Sequence, residues 1–222
     1  MNGRTALVTG TSRGIGLAIA ERLRKDGAKI LAPTRKEMDL LSNVSMDAYL
    51  ASLQEPVDIL VNNAGINRLG AGTEASDRDI QETLQINLMA PLRLVRCLAP
   101  SMMSRRYGRI VNISSIWSVV TKPRRVTYAA SKAGLNGMTR TLAVELAPFN
   151  ILVNALAPGY VNTELTRQNN TEEEIEAIRK TIPIQRLAQP EEIAEFVSYL
   201  CSEKNSYLTG QVIVLDGGFS CL

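Results

Sequence analysis

Tyr128 and Lys132 have the residue types and the spacing for proton transfer. Residues four apart on a helix share a face, so the ammonium group of Lys132 can lie beside the phenol of Tyr128. A free tyrosine titrates near pH ~10, and a neighbouring cation favours the phenolate and lowers that pKa. We therefore expect a general acid–base tyrosine that exchanges a proton with a carbonyl or alcohol oxygen. An amphipathic helix with an exposed lysine is the alternative interpretation.

The sequence has no histidine, which excludes Ser-His-Asp and Cys-His catalysis and most histidine-bearing metal sites. Its three cysteines, Cys97, Cys201 and Cys221, are scattered and odd in number. This pattern is typical of a reducing cytosol and indicates neither a disulfide framework nor a zinc cluster. We expect no metal site, and acid–base chemistry that uses Tyr, Lys, Asp, Glu or Cys.

The overall composition is that of a soluble globular protein. With 222 residues, 45% of them hydrophobic and 21% charged, the chain is expected to form one domain, residues 1–222. No apolar run approaches the ~18 residues of a membrane span, and no signal peptide is visible. A net charge of +3 is too small to indicate nucleic-acid binding. We expect a cytoplasmic protein that binds neither nucleic acid nor membrane.

Short apolar segments alternate with helical patterns along the chain. This order predicts an α/β protein: a single-domain Rossmann fold, in which a doubly wound parallel sheet carries helices on both faces. The predicted strands are residues 5–9, 28–33, 57–61, 109–113, 151–155 and 212–215. The main predicted helices are residues 15–25, 42–53, 77–103, 127–146 and 190–200.

The predicted sheet is shortened after the second strand. Residues 34–41 pass directly into the helical pattern of residues 42–53. A doubly wound nucleotide-binding half normally has room there for a helix and a strand. We expect residues 38–40 to be a truncated strand and the crossover helix before them to be missing.

A glycine-rich segment, residues 10–16, follows the first predicted strand and opens the first helix. Its glycines let the backbone turn tightly against a diphosphate, whose negative charge the helix N-terminus favours. The spacing is Gly-x3-Gly-x-Gly rather than Gly-x-Gly-x-x-Gly, and an ordinary glycine loop is the alternative. The predicted cofactor-binding residues of this segment are Gly10, Ser12, Arg13, Gly14, Ile15 and Gly16.

The end of the second strand indicates which dinucleotide is bound. An acidic residue there binds a ribose 2′-hydroxyl, whereas arginine accommodates a 2′-phosphate. Here the chain has Thr34 and then Arg35, and Arg13 is expected nearby. Two guanidinium groups and no carboxylate favour NADP(H) over NAD(H); solvated surface arginines are the alternative.

Polar side chains follow two further strands. Asn63, Ala64 and Gly65 come after the strand at 57–61, and Ser114 and Ser115 after the strand at 109–113. Ligands of open α/β sheets bind at the carboxyl ends of the strands, so these segments should border the same cofactor. Plain polar turns are the alternative.

These residues together resemble the short-chain dehydrogenase/reductase family, in the family's order and over essentially the whole chain. The matching positions are Thr9, Gly10, Gly14, Ile15, Gly16, Asn62, Asn63, Ala64, Gly65, Asn87, Ser115, Tyr128, Lys132, Pro158, Gly159, Asp216, Gly217 and Gly218. The resemblance implies an oxidoreductase that interconverts a ketone and a secondary alcohol with a nicotinamide cofactor.

The resemblance also implies roles for single residues. Tyr128 would donate the proton, Lys132 would lower its pKa and hold the nicotinamide ribose, and Ser115 would stabilise the substrate oxygen. Asn87 would hold a water that links Lys132 to solvent. Further contacts with the cofactor are implied for Thr34, Arg35, Asp39, Leu40, Asn63, Ala64, Gly65, Tyr128, Lys132, Pro158, Gly159, Val161 and Thr163, with Asp39 and Leu40 at the adenine and Thr163 at the carboxamide.

The sequence leaves the substrate open. Lys122, Arg124 and Arg125 precede Tyr128 and could attract an anionic substrate or an acidic carrier protein; a solvated basic loop is the alternative. Trp117 either forms a wall of the substrate pocket or is a surface aromatic. Residues 163–183 should cover the substrate, with a capping box at Thr171 opening a short helix.

The C-terminal half is similar to bacterial 3-oxoacyl-[acyl-carrier-protein] reductases, whose relatives reduce varied ketones. That specific activity, with an acyl-carrier protein as partner, is one alternative to a reductase of small carbonyl compounds. A non-catalytic NADP(H)-binding sensor or scaffold is another. The resemblance further implies a homotetramer, or a homodimer, formed by helices 77–103 and 127–146.

Overall fold

One parallel sheet organises the protein. The computed structural model describes Met1 and residues 3–222. The strands are β1 (Thr5–Val8), β2 (Lys29–Leu31), β3 (Ile59–Asn62), β4 (Gly108–Ile113), β5 (Ile151–Pro158) and β6 (Val212–Leu215). Their order in the sheet is β2-β1-β3-β4-β5-β6, with every pairing parallel. From β1 the chain adds β2 on one side and then β3 to β6 on the other side, so the strand order reverses at β1. The crevice at this switch point is where such sheets bind ligands.

Helices connect the strands. They are α1 (Gly14–Lys25), α2 (Asn43–Ala51), α3 (Asp77–Leu84), α4 (Ala90–Arg105), α5 (Val126–Leu146), α6 (Glu164–Gln168), α7 (Glu172–Thr181) and α8 (Pro190–Cys201). A π-helical turn, Gln85–Met89, joins α3 to α4, and the predicted capping box of Thr171 and Glu174 opens α7. Among the described residues no helix is both long and apolar enough to cross a bilayer.

The core has two halves, one on each face of the sheet. Successive strand residues point to opposite faces, so Ala6 and Val8 face one side and Leu7 the other. The first side is covered by α1 and α8, and the second by α2, α4 and α5. This arrangement confirms the predicted doubly wound α/β fold.

The segment after β2 is shortened as predicted, but residues 38–40 form no strand. The backbone of this segment is bonded to nearby side chains instead. The Asp39 N–H donates to Ser45 Oγ (2.9 Å), and the Leu41 N–H donates to Asp39 Oδ1 (3.1 Å). Such local bonds compete with strand pairing and favour turns. As a result, β2 is the edge of a six-stranded sheet.

Candidate active site

A cavity of about 630 Å3 lies at the carboxyl ends of the five strands β1 to β5. Every residue that the sequence predicted for the cofactor or the chemistry lines this cavity except Asn87, which is fully buried behind it. Within Met1 and residues 3–222, no group of three or more acidic or cysteine side chains could hold a metal ion. The sheet has therefore brought segments from five strand ends together.

The glycine-rich loop forms a close-fitting backbone cradle. Gly10 and Gly14 adopt the left-handed region (φ +71° and +56°), which glycine occupies without strain. A Cβ on Gly16 would lie closer than 3.0 Å to Gly10 O and Asn63 Nδ2. Asn63 Nδ2 donates to Thr9 O (2.9 Å) and Gly10 O (3.1 Å) and so fixes the loop against β3. With the free N–H groups of the α1 N-terminus beside it, this backbone fits a dinucleotide diphosphate.

At the adenosine end of the cavity lies Asp39, as the resemblance implied, and Glu37 lies beside it on the turn that follows β2. Arg35 Nε lies 3.6 Å from Asp39 Oδ1 in a solvent-exposed ion pair. Glu37 Oε2 accepts hydrogen bonds from Thr34 N and Thr34 Oγ1, both at 2.8 Å. Thr34-x-x-Glu37 has the spacing of a capping box, here closing a turn rather than opening a helix.

The four predicted catalytic residues come from β4, α5 and the π turn. Ser115 follows β4, and Tyr128 and Lys132 lie in the first two turns of α5. Lys132 Nζ donates to Ile113 O (2.7 Å) and lies 5.7 Å from the centre of the Tyr128 ring. A Cβ on Gly65 would lie 3.5 Å from Lys132 Nζ and 3.3 Å from Asn87 Oδ1. Gly65 thus leaves room for both polar groups beside the tyrosine.

The pKa of Tyr128 is raised above its ordinary value, because its surroundings exclude solvent and disfavour the phenolate. The Ser115 hydroxyl and the positive charge of Arg125 act in the opposite direction but more weakly. Burial lowers the pKa of Lys132 to about 8. The direction for Tyr128 is opposite to the expected one, since desolvation outweighs the nearby charges. The phenol is therefore protonated at neutral pH.

Asn87 ties the loop after β3 to α5. Its Oδ1 accepts from Ile66 N (2.9 Å), and its Nδ2 donates to Ile66 O (2.9 Å) and Ser131 Oγ (3.0 Å). Ser131 Oγ in turn donates to Tyr128 O (2.7 Å). π-helical turns occur frequently at functional sites, and this one places a fully bonded, buried amide next to Lys132.

A second network fixes the loop that carries Ser115. Ser114 Oγ donates to Asn136 Oδ1 (2.7 Å), and Asn136 Nδ2 donates to Ser118 Oγ (2.8 Å). Ser118 Oγ completes the chain by donating to Ser115 O (2.5 Å). The side chain of Ser115 is thereby presented from a rigid turn rather than from a mobile loop.

Aromatic side chains form one wall of the cavity. Trp117, Tyr160 and Phe219 meet edge to face, with ring centres 5.7–6.1 Å apart. Trp117 is buried and lines the cavity, as the pocket-wall interpretation expected. Of the basic residues before Tyr128, Lys122 and Arg124 are exposed, whereas Arg125 is buried against Trp117.

Comparison with known proteins identifies the family. Residues 4–48 match the family model described as short chain dehydrogenase, and residues 37–220 match the one described as Enoyl-(Acyl carrier protein) reductase. The 3-oxoacyl-[acyl-carrier-protein] reductase FabG of Rickettsia bellii is 40% identical, over 98% of this chain and 97% of the relative. The chain belongs to the short-chain dehydrogenase/reductase family. Nodulation protein G of a Rhizobium species is 41% identical, over 100% of this chain and 99% of the relative.

Solved structures of other proteins resemble this chain over its whole length. A proposed NAD(P)-dependent gluconate 5-dehydrogenase from Beutenbergia cavernae, with bound NADP, superimposes with a TM-score of 0.95 and is 36% identical, covering 100% of this chain and 98% of its own. A gluconate 5-dehydrogenase from Burkholderia cenocepacia in complex with NADP and tartrate superimposes with a TM-score of 0.92 and is 27% identical. The match covers 100% of this chain and 97% of that one. These neighbours confirm the Rossmann-like fold.

The residues that support the site were not predicted from the sequence. Ser131 and Asn136 lie on α5 three residues after Tyr128 and four after Lys132, so they share a helix face with the predicted pair. That spacing was the available signal. Their burial, which makes their hydrogen bonds important, depends on how α5 packs against β4 and the π turn.

Proposed function

We propose that this protein is an NADP(H)-dependent oxidoreductase that interconverts a ketone and a secondary alcohol, with Tyr128 as the general acid and base. The observation that carries the proposal is the position of Ser115 and Tyr128 in the same cavity as the glycine-rich cradle. Family membership supports the reaction type.

Each residue has a definable task in this proposal. A bound nicotinamide supplies the hydride in reduction and takes it up in oxidation. Tyr128 gives its proton to the carbonyl oxygen in reduction and removes it in oxidation. Ser115 Oγ donates a hydrogen bond to the same oxygen, where negative charge builds up. Lys132 and Asn87 hold the surrounding groups in place, and the glycine-rich loop with Asp39, Leu40 and Thr163 would hold the dinucleotide.

A ketone panel tests the proposal directly. Purified protein is incubated with NADPH and small ketones, keto acids, keto sugars and an acyl-carrier thioester, and NADPH consumption is followed at 340 nm, the absorbance of the reduced nicotinamide. We expect turnover with at least one class. NADPH binding without turnover of any member would instead favour the non-catalytic sensor or scaffold.

A 3-oxoacyl-[acyl-carrier-protein] reductase is the second candidate. The similarity to FabG proteins over nearly the whole chain favours it. It requires an acyl-carrier protein as partner, so the thioester should be reduced far faster than any small ketone in the panel. The reverse order of rates would favour a reductase of small carbonyl compounds.

The preference for NADPH should depend on Arg35. Arg35→Ala removes a guanidinium available to the 2′-phosphate, and we expect NADPH to bind about 10-fold more weakly, which is ~1.4 kcal/mol, while NADH binding stays the same. Titration of both dinucleotides measures the effect. Arg24→Ala is the matched control, because Arg24 is exposed on α1 outside the cavity. Equal affinities of the wild type for NADPH and NADH would contradict the preference.

The oligomeric state of the protein and its location in the cell remain predictions. The helices expected to form a homotetramer or homodimer expose apolar side chains, Leu92 on α4 and Val144 on α5, which supports self-association along them. A cytoplasmic location remains the expectation from the scattered cysteines.

A further inference from the structure

Arg125 is a buried guanidinium group that has no hydrogen-bond or ion-pair partner among the described residues. The residue is 7% exposed, and its Nε has no hydrogen-bond partner. In the part of the chain that the structure describes, its side chain donates no hydrogen bond, and no carboxylate lies within 4.0 Å of it. Burying a charge without a partner is costly, so such groups are normally paired or point to a ligand.

Two other arginines show how this protein normally treats a poorly exposed guanidinium. Arg105 also has an unbonded Nε, but it pairs with Asp58 and donates to Val57 O (2.7 Å). Arg109 donates to three backbone oxygens, those of Gly108, Asn150 and Asn205. The Nε of Arg109 is unbonded as well, but the terminal nitrogens of both arginines have partners inside the fold. Arg125 differs from them because its terminal nitrogens donate no hydrogen bond to the described residues.

The backbone holds Arg125 in this position. Arg124, just before it, adopts a left-handed conformation (φ +68°), which is unfavourable for a non-glycine residue. Gly70 N donates to Arg124 O (3.2 Å), and Ala129 N donates to Arg125 O (2.8 Å). The guanidinium carbon lies 5.1 Å from the Trp117 ring, a distance at which a cation is attracted to the aromatic face. Arg125 is thus oriented before any ligand arrives.

The free donors of Arg125 belong to the reaction cavity. Arg125 lines that cavity together with Tyr128, which follows it by three residues on α5. Two carboxylates also line the cavity, but Asp39 is paired with Arg35, and Glu164 lies beside Gly14 of the glycine-rich loop. Arg125 therefore places a positive charge beside the aromatic wall of the cavity.

We propose that Arg125 binds the carboxylate group of the substrate, so that the protein acts on a small keto acid or the corresponding hydroxy acid. A guanidinium fork matches a carboxylate with two parallel charge-assisted hydrogen bonds. The pairing neutralises the buried charge and orients the ketone towards Tyr128. A thioester has no such charge, and this separates the inference from the carrier-protein alternative. The inference rests on the proposed ketone–alcohol chemistry.

Matched acids and esters test this assignment. Pyruvate, acetoacetate and levulinate place the ketone at increasing distance from the carboxylate, and each is compared with its methyl ester. Arg125→Gln should lower kcat/KM for the preferred acid about 10- to 100-fold, mainly through KM, because it removes a hydrogen bond to a charged group. Ester reduction should change little. Arg24→Gln, which removes the same charge from an exposed position on α1 outside the cavity, should leave the preference for the acid intact.

Binding without turnover provides an independent measurement. Trp117 is the only tryptophan and lies against Arg125, so its fluorescence reports on this part of the cavity. Lactate and 3-hydroxybutyrate should change that fluorescence in the wild type but not in Arg125→Gln, and their methyl esters should have no effect in either protein.

The outcomes separate this inference from the proposed function. Turnover with equal rates for acids and esters, or a loss of the same size for both in Arg125→Gln, overturns the role of Arg125 and leaves the oxidoreductase proposal standing. Absence of turnover with every ketone overturns the oxidoreductase proposal, and the fluorescence titration then decides whether Arg125 is a carboxylate site. Reduction of an acyl-carrier thioester in preference to every acid also overturns the carboxylate assignment.

Discussion

Tyr128→Phe is expected to lower ketone turnover by about 10²–10⁴-fold, the range for loss of a general acid. The substitution removes only the hydroxyl group, so the ring still fills its place beside Lys132 and Ser115. NADPH affinity should therefore remain close to that of the wild type. Stopped-flow measurement of NADPH oxidation gives the rate, and equilibrium titration with NADPH shows that the cofactor site is intact.

A second tyrosine provides the control for this experiment. Tyr207 is 96% exposed and does not line the cavity, so Tyr207→Phe makes the same chemical change away from the site. Its turnover should equal that of the wild type. If Tyr128→Phe also turned over at the wild-type rate, Tyr128 would not be the proton donor, and the proposed mechanism would fail.

The raised pKa of Tyr128 matters for the direction of the reaction. A protonated phenol is ready to donate to a carbonyl oxygen, whereas alcohol oxidation requires the phenolate. The neighbouring ammonium of Lys132 is bonded to Ile113 O, and its own pKa falls to about 8. The raised pKa makes the phenolate of Tyr128 scarcer at neutral pH, so in the protein without cofactor it disfavours the form that alcohol oxidation would need.

The fold was largely predictable because its signals are local. Apolar strands and amphipathic helices alternate, and this order alone indicates a parallel sheet. Residues 38–40 were harder, since Met38, Asp39 and Leu40 resemble a short strand in the sequence. The bonds that prevent it, between Asp39 and Ser45 and between Thr34 and Glu37, link residues only a few positions apart. Their geometry depends on the turn, which the pattern did not indicate.

The candidate site was predictable where a backbone motif marks it and unpredictable where burial decides. The glycine-rich loop and the Tyr128–Lys132 pair could be found from spacing alone. Lys122, Arg124 and Arg125 look alike in the sequence, yet only Arg125 is buried in the cavity. The difference arises from the left-handed turn at Arg124 and from Trp117, which the chain brings to the same wall.

Gly16→Ala is expected to damage the cofactor cradle and the fold together. The new Cβ would lie closer than 3.0 Å to the Gly10 carbonyl and to Asn63 Nδ2, so the glycine-rich loop must move. Overpacking of this kind costs about 1–3 kcal/mol of the free energy of unfolding. If the displaced loop also costs about 2 kcal/mol of the free energy of dinucleotide binding, NADPH affinity falls about 30-fold. Urea unfolding and NADPH titration measure the two effects separately.

Gly137→Ala is the matched control, since it adds the same methyl group at a helical glycine with nothing within 4 Å. It should stabilise α5 by up to about 1 kcal/mol through helix propensity and leave NADPH affinity unchanged. Both variants add a methyl group to a helical glycine, so the difference between them separates the effect of the steric clash at Gly16 from the effect of a stiffer backbone. If Gly16→Ala had the stability and the NADPH affinity of the wild type, the loop would accommodate the methyl group without loss of free energy. The close approach of Gly10 to the start of α1 would then not be what forms the dinucleotide site.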